Sequence, residues 1–119
     1  MSGIIGTSNA RSKVVGRPLD TALAWANLDG TGTTTAFNTS YNMAGQEDVA
    51  VGVYRFTLLT PAKDANYCVV ASHDTPAGAD ADASPSHYEN PTTTTFTVTT
   101  FGDGAYIDAD RVFVAVFGE

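Results

Sequence analysis

The chain has few of the residues that carry covalent or metal chemistry. Cys68 is the one cysteine in 119 residues, so no disulfide can form within the chain. This fits assembly in a reducing compartment. Cys68 lies in the apolar run Tyr67–Val70 with no cation beside it, so a buried, unreactive strand thiol is expected. Basic residues are scarce: six Lys and Arg stand against thirteen Asp and Glu, for a net charge of −7. Phosphate contacts need clustered cations, so nucleic acid is not an expected partner. No apolar run approaches the roughly 20 residues of a membrane-spanning helix, so no membrane insertion is expected. The early apolar pairs Ile4-Ile5 and Val14-Val15 are too short for the core of a signal peptide. Leu, Glu and Lys are sparse, and no window of a dozen residues carries a helical apolar stripe.

Catalytic patterns are missing as well. No Gly-x-Ser-x-Gly elbow supports a Ser–His–Asp triad. The Gly-rich pieces DGTGT and FGDG lack the Lys and the following helix of a phosphate loop. His73 and His87 form no closely spaced zinc pair. Asp74, Asp80, Asp82, Glu89, Asp103, Asp108 and Asp110 could supply oxygens to calcium, with Asp80-Ala81-Asp82 and Asp103-Gly104 the best fragments. No loop of about twelve residues closing on a bidentate Glu accompanies them, so a solvated acidic surface is expected. No catalytic residue, metal or cofactor is expected, and the chain does not read as an enzyme.

What is abundant is Thr, Val, Phe and Tyr, with 11 Gly and 5 Pro as punctuation, which favours an all-β fold. The length fits one domain, able to bury about 65% of its unfolded surface. The expected division is an N-terminal arm over residues 1–18 and a β-sandwich domain over 19–119. The arm sets Ile4, Ile5, Val14 and Val15 among Gly, Ser and Asn, which cannot build a core alone. Arg11, Lys13 and Arg17 precede the first acid, Asp20, so a basic arm adjoins an acidic body. Ile4, Ile5, Arg11, Lys13 and Arg17 are therefore candidates for docking on a neighbouring subunit or another protein, against the plainer reading of a frayed terminus.

From Ala22 the pattern is one of short strands separated by turn residues. Leu23–Thr33 reads as strand, Gly-rich turn, strand, and Trp25, the one tryptophan, is expected to anchor the core. A strand follows over about Thr33–Met43, then a turn at Ala44–Asp48. Val49–Leu59 reads as the longest strand, with Tyr54, Phe56 and Leu58 on one side. Asn66–Ser72, Thr92–Phe101 and Arg111–Phe117 are further strands. Asp74–Pro91 reads as a long acidic loop and Gly102–Asp110 as a turn region. The last strand is apolar on both faces, so both should be covered. A two-sheet sandwich buries one face of each sheet, leaving the other for a loop or a second subunit.

The run AWANLDGTGT resembles the opening of a small all-β domain found at the ends of bacteriophage tail fibres and in related virion proteins. The resemblance continues in order through Phe37–Met43 (FNTSYNM), Gly52–Phe56 (GVYRF) and Ala65–Ala71 (ANYCVVA). It covers about Ala22–Ser72, is general over Thr92–Gly118 and loose in the arm. Leu28 and Asp29 depart from the Phe and Asn more usual there, and the acidic loop is long; these departures bear on the ligand and not on the fold. The resemblance implies a jelly-roll-like β-sandwich of about eight short antiparallel strands, assembled as a homotrimer with an axial strand. Val112, Val114 and Val116 are then the candidate oligomer interface. The expected function is that of a phage virion structural protein, a trimeric tail-fibre or tail-tip domain in host-surface attachment, located in the virion after assembly in the host cytoplasm. Other virion proteins and a host surface glycan or protein are the expected partners. The alternative is a purely architectural virion protein, either a capsid decoration or a fibre-to-tail adaptor; a carbohydrate-active enzyme ranks behind both. Asp74, Asp80, Asp82, His87, Tyr88 and Tyr106 are the candidate receptor-facing residues, since aromatic faces among small polar groups suit sugar rings.

Overall fold

Alternating apolar and polar residues produce strands almost throughout. The computed structural model describes residues 22–31, 35–74, 87–102 and 104–118; of His87 and Tyr88 it describes the backbone alone. Ten strands occur in these segments: β1 (Ala24–Asp29), β2 (Ala36–Tyr41), β3 (Met43–Ala50), β4 (Val53–Leu58), β5 (Cys68–Asp74), β6 (His87–Glu89), β7 (Thr95–Thr99), β8 (Phe101–Gly102), β9 (Ala105–Tyr106) and β10 (Arg111–Phe117). Among the described residues there is no helix.

All pairings are antiparallel. One four-stranded sheet runs β2-β1-β10-β5, a second runs β3-β4-β7-β6, and β8-β9 form a separate two-stranded ribbon. The two larger sheets share one core. Ala24, Ala26 and Leu28 of β1 and Val112, Val114 and Val116 of β10 come from the first sheet. Tyr54, Phe56 and Leu58 of β4 and Phe96 and Val98 of β7 come from the second. Phe56 stacks on Phe96 at 5.2 Å between centroids and on Phe37 of β2 at 6.1 Å, joining the layers. Each large side chain buried here is worth about 1.5–3 kcal/mol.

Three polar knots fix how the strands enter and leave. At one end the buried Tyr54 hydroxyl donates to the Gly30 carbonyl at 3.0 Å and accepts from the Ala109 N–H at 3.0 Å. Asp108 Oδ1 lies 3.4 Å away and accepts from the Gly52 N–H at 2.9 Å. This explains two glycines. A Cβ on Gly30 would come within 2.5 Å of the Ala109 carbonyl oxygen and 2.7 Å of the Tyr54 hydroxyl. Gly52 turns β3 into β4 at φ +67, and a Cβ there would meet the Thr100 carbonyl oxygen at 2.7 Å. At the opposite end Asn42, at φ 57, donates from Nδ2 to the Leu23 carbonyl and accepts the Thr60 N–H on Oδ1. Asn tolerates this left-handed conformation, and its amide closes β1, the β2–β3 turn and the segment after β4 together. Nearby, the buried Tyr67 hydroxyl lies within 2.7 Å of the Thr92 carbonyl and 3.0 Å of the Thr95 carbonyl, its ring edge-on to Phe96.

Several expectations need correction. Trp25 is 40% exposed and stacks on Tyr41 outside the core, because the inward parity of β1 belongs to Ala24, Ala26 and Leu28. The small alanines leave room for the aromatic rings of the opposing sheet. Cys68 is exposed, since it takes an outward position at the start of β5. Ala44–Asp48 is not a turn but lies within β3, a strand at the sheet edge with register shifts beside Met43 and Asp48. The expected long strand Val49–Leu59 is broken at Val51-Gly52, where Gly52 reverses the chain. The short strands β6 and β9 fall in stretches expected as loop or turn, and β8 straddles the expected end of the Thr92–Phe101 strand. The alternation of β4, β7 and β10 is as expected, although Thr97 and Thr99 of β7 are also buried.

The Tyr54 knot makes two predictions. Tyr54→Phe leaves the Gly30 carbonyl and the Ala109 N–H without this partner and should lower unfolding free energy by about 1–3 kcal/mol in denaturant titration. Burial first, and the charges of Asp108 and Asp48 after it, raise the Tyr54 hydroxyl from 10.0 to about 12, against the opposing pull of the Ala109 hydrogen bond. The folded value exceeds the unfolded one, so its stabilising contribution is complete below pH 10 and is lost as pH rises through about 12. Thermal melts across that window should show the native chain falling more steeply than Tyr54→Phe.

Candidate functional site

The antiparallel registers give the two packed sheets two distinct ends. Asp29, Arg111 and Asp74 are directly opposed across β1, β10 and β5, which places them in one row. The Tyr54 knot, the Gly52 turn and the β8-β9 ribbon lie at that same end. In the ribbon Tyr106 is 50% exposed and stacks on Phe101 at 4.5 Å with an interplanar angle of 30°. The ribbon is held down by His73 Nε2 at 2.9 Å from the Phe101 carbonyl and by the Thr100 hydroxyl, which donates to the Ile107 carbonyl at 2.6 Å.

Carboxylates surround this end in different states. Arg111 Nη2 meets Asp74 Oδ2 at 2.7 Å in a partly exposed ion pair. The hydroxyl and then the backbone N–H of Thr31 hold the Asp29 carboxyl below its ordinary range. Desolvation, and behind it the charge of Asp108, pushes Asp48 up. The Phe101–Tyr106 stack and these carboxylates thus lie at the same end of the two sheets. Among the described residues no three His, Cys, Asp or Glu side chains come together as metal ligands.

Of the candidate receptor-facing residues, Asp74 and Tyr106 are brought to this end. The backbone of His87 pairs with Thr99, opposite Val53, which places β6 on the edge of the second sheet with its first residue toward the same end. The side chains of His87 and Tyr88, and the whole of Asp80 and Asp82, lie outside the described residues. So do the docking-arm residues Ile4, Ile5, Arg11, Lys13 and Arg17. The described chain starts at Ala22 at the other end, where the Leu23 N–H donates to the Val116 carbonyl at 2.7 Å. Gly118 packs near Tyr67 at that end too.

The candidate oligomer-interface residues of β10 face into the molecule. Val112, Val114 and Val116 are 0%, 4% and 0% exposed and belong to the core, so they are not available to a partner. The opposite parity of β10, Phe113, Ala115 and Phe117, faces outward. Trp25 and Tyr41 on one side of β10 and Val70 on the other share a cross-strand row with Ala115. Phe113 sits between Asn27 and Ser72, and Phe117 beside Cys68. Five of the large exposed apolar side chains therefore lie on one sheet face: Trp25, Tyr41, Val70, Phe113 and Phe117. Val49, Val51 and Leu59 are exposed as well, but they occupy an edge strand and turns, where single apolar residues are ordinary. The signal for the inward parity lies in β1, where the small Ala24 and Ala26 leave space that Val112, Val114, Val116 and the opposing sheet's rings fill.

Comparison of the chain with protein-family models, with curated proteins and with solved structures finds no match.

Proposed function

We propose that this chain is a structural protein of a bacteriophage virion, a trimeric tail-fibre or tail-tip domain with a jelly-roll-like sandwich that takes part in attachment to the host surface. The observation that carries the reading is the polarity of the domain. The described chain begins at Ala22 at one end, beside Asn42, with Leu23 bonded to Val116. The Phe101–Tyr106 stack, the acidic row and both flanks of the 75–86 segment lie at the other. Strands of six or seven residues separate these ends by about 20 Å. A domain tethered through its arm thus presents aromatic and acidic groups away from the tether, as a terminal attachment domain requires.

The ordered motifs from Ala22 to Ser72 support the same reading. Arg11, Lys13 and Arg17 on the arm suit docking on an acidic neighbour in the particle, and a host surface glycan or protein is the outward partner. The purely architectural alternative uses the same arm but leaves the far end without a ligand.

Two outcomes separate these readings. In particles carrying Tyr106→Ser together with a Gly/Ser replacement of residues 75–86, assembly and particle yield should be unchanged, while the adsorption rate to host cells falls by about tenfold or more. Unchanged adsorption would favour the architectural role. Gold-labelled antibody against the chain should mark the tail; labelling spread over the capsid would overturn the tail assignment.

A further inference from the structure

We propose that the outer face of the β2-β1-β10-β5 sheet is the contact between copies of this chain, with Trp25, Tyr41, Val70, Phe113, Ala115 and Phe117 at its centre. This rests on the homotrimer in the function proposed above and assigns the surface that makes it. The face runs across all four strands, with large apolar side chains exposed in two or more rows. Contiguous exposed patches of this kind on a small domain are interaction sites.

Width and charge select the occupant. Four strands at about 4.8 Å spacing make a face some 15–20 Å across. An extended segment, such as the chain's own arm, covers about one strand's breadth of such a face and would leave most of it wet. Around a threefold axis the faces of two further copies cover its two halves, each about two strands broad. The chain carries a net charge of −7, so its copies repel one another over most of their surfaces. On this face the outward residues from Asn27 to Phe117 are uncharged, and there like-charged copies can approach.

The one charged row is self-complementary. Across β1, β10 and β5 it reads Asp29, Arg111, Asp74, which is minus, plus, minus. Cyclic symmetry brings equivalent rows of the copies to equal height along the shared axis. Each Arg111 then has a neighbour's carboxylates within its level as well as Asp74 of its own chain. An aromatic pair at the middle of the face, Trp25 stacked on Tyr41 at 6.5 Å, supplies rigid contact area at small cost in side-chain entropy.

The test uses the full chain at tens of micromolar in sedimentation equilibrium, with maleimide alkylation of Cys68 as a second readout, because that thiol is exposed beside Phe117 on this face. The native chain should be a trimer with slow alkylation. Trp25→Gln with Phe113→Gln, both outward substitutions, should give a monomer of unchanged far-ultraviolet circular dichroism whose Cys68 reacts about tenfold faster. Val70→Arg, on the exposed edge strand, should do the same and serves if the double variant fails to fold. A trimer untouched by either change, with unchanged alkylation, overturns the assignment of the face and leaves the trimer standing. A monomeric native chain overturns both. A monomeric native chain whose Cys68 becomes reactive only on deletion of Met1–Gly16 would show that the arm covers the face, which also overturns the proposal.

Discussion

Strand β10 sets the main constraint on this molecule. It occupies an interior position in its sheet, between β1 and β5, and it is apolar on both sides. The second four-stranded sheet can cover one side of it alone, and it covers Val112, Val114 and Val116. Phe113 and Phe117 then face outward beside Trp25. Water contact at such a face costs about 25 cal/mol for each square ångström of apolar surface that could be covered. The same strand thus closes the core on one side and leaves large apolar side chains exposed on the other.

The polar knots explain what the recognisable motifs do. The Asp-Gly of the first motif places Gly30 against Tyr54 of the third, where no Cβ fits. Asn42 of the second motif ties β1 to the segment after β4. Tyr67 of the fourth reaches the carbonyls of Thr92 and Thr95. Each motif residue thus joins elements far apart in sequence and determines the route of the chain. None of these residues lies on the Phe101–Tyr106 stack. Motif similarity of this kind speaks for the scaffold, whereas a ligand would be chosen by Tyr106, Asp74 and the residues around them, which stand outside the motifs.

Much of the β-structure was legible because its period is local. Tyr54, Phe56 and Leu58 alternate with polar residues, so the buried side of β4 follows from its pattern, while in β10 the pattern gives only that Val112, Val114 and Val116 share a side. Which parity faces inward is not local when both are apolar. Trp25 and Cys68 were placed inside on size and apolarity, but the opposing sheet's rings decide the matter, and they accept Ala24 and Ala26. Ala44–Asp48 carries no strand signal of its own, since an edge strand of Gly, Gln, Glu and Asp is held by its ladder to β4 and by the Arg55–Glu47 pair at 2.8 Å. Of the outward-facing site, Tyr106 and Asp74 could be named from composition. Their stacking and ion-pair partners, Phe101 and Arg111, are set by chain reversals that no local pattern encodes.

Trp25 is the one tryptophan and lies in the middle of the uncovered face, so its fluorescence reports directly on whether that face is covered. The decisive measurement is its emission maximum in the native chain as a function of protein concentration. Contact between copies on this face predicts a blue-shifted maximum at high concentration, moving to a solvent-like value on dilution as the assembly separates, with no accompanying loss of secondary structure. A solvent-like maximum at every concentration would contradict it.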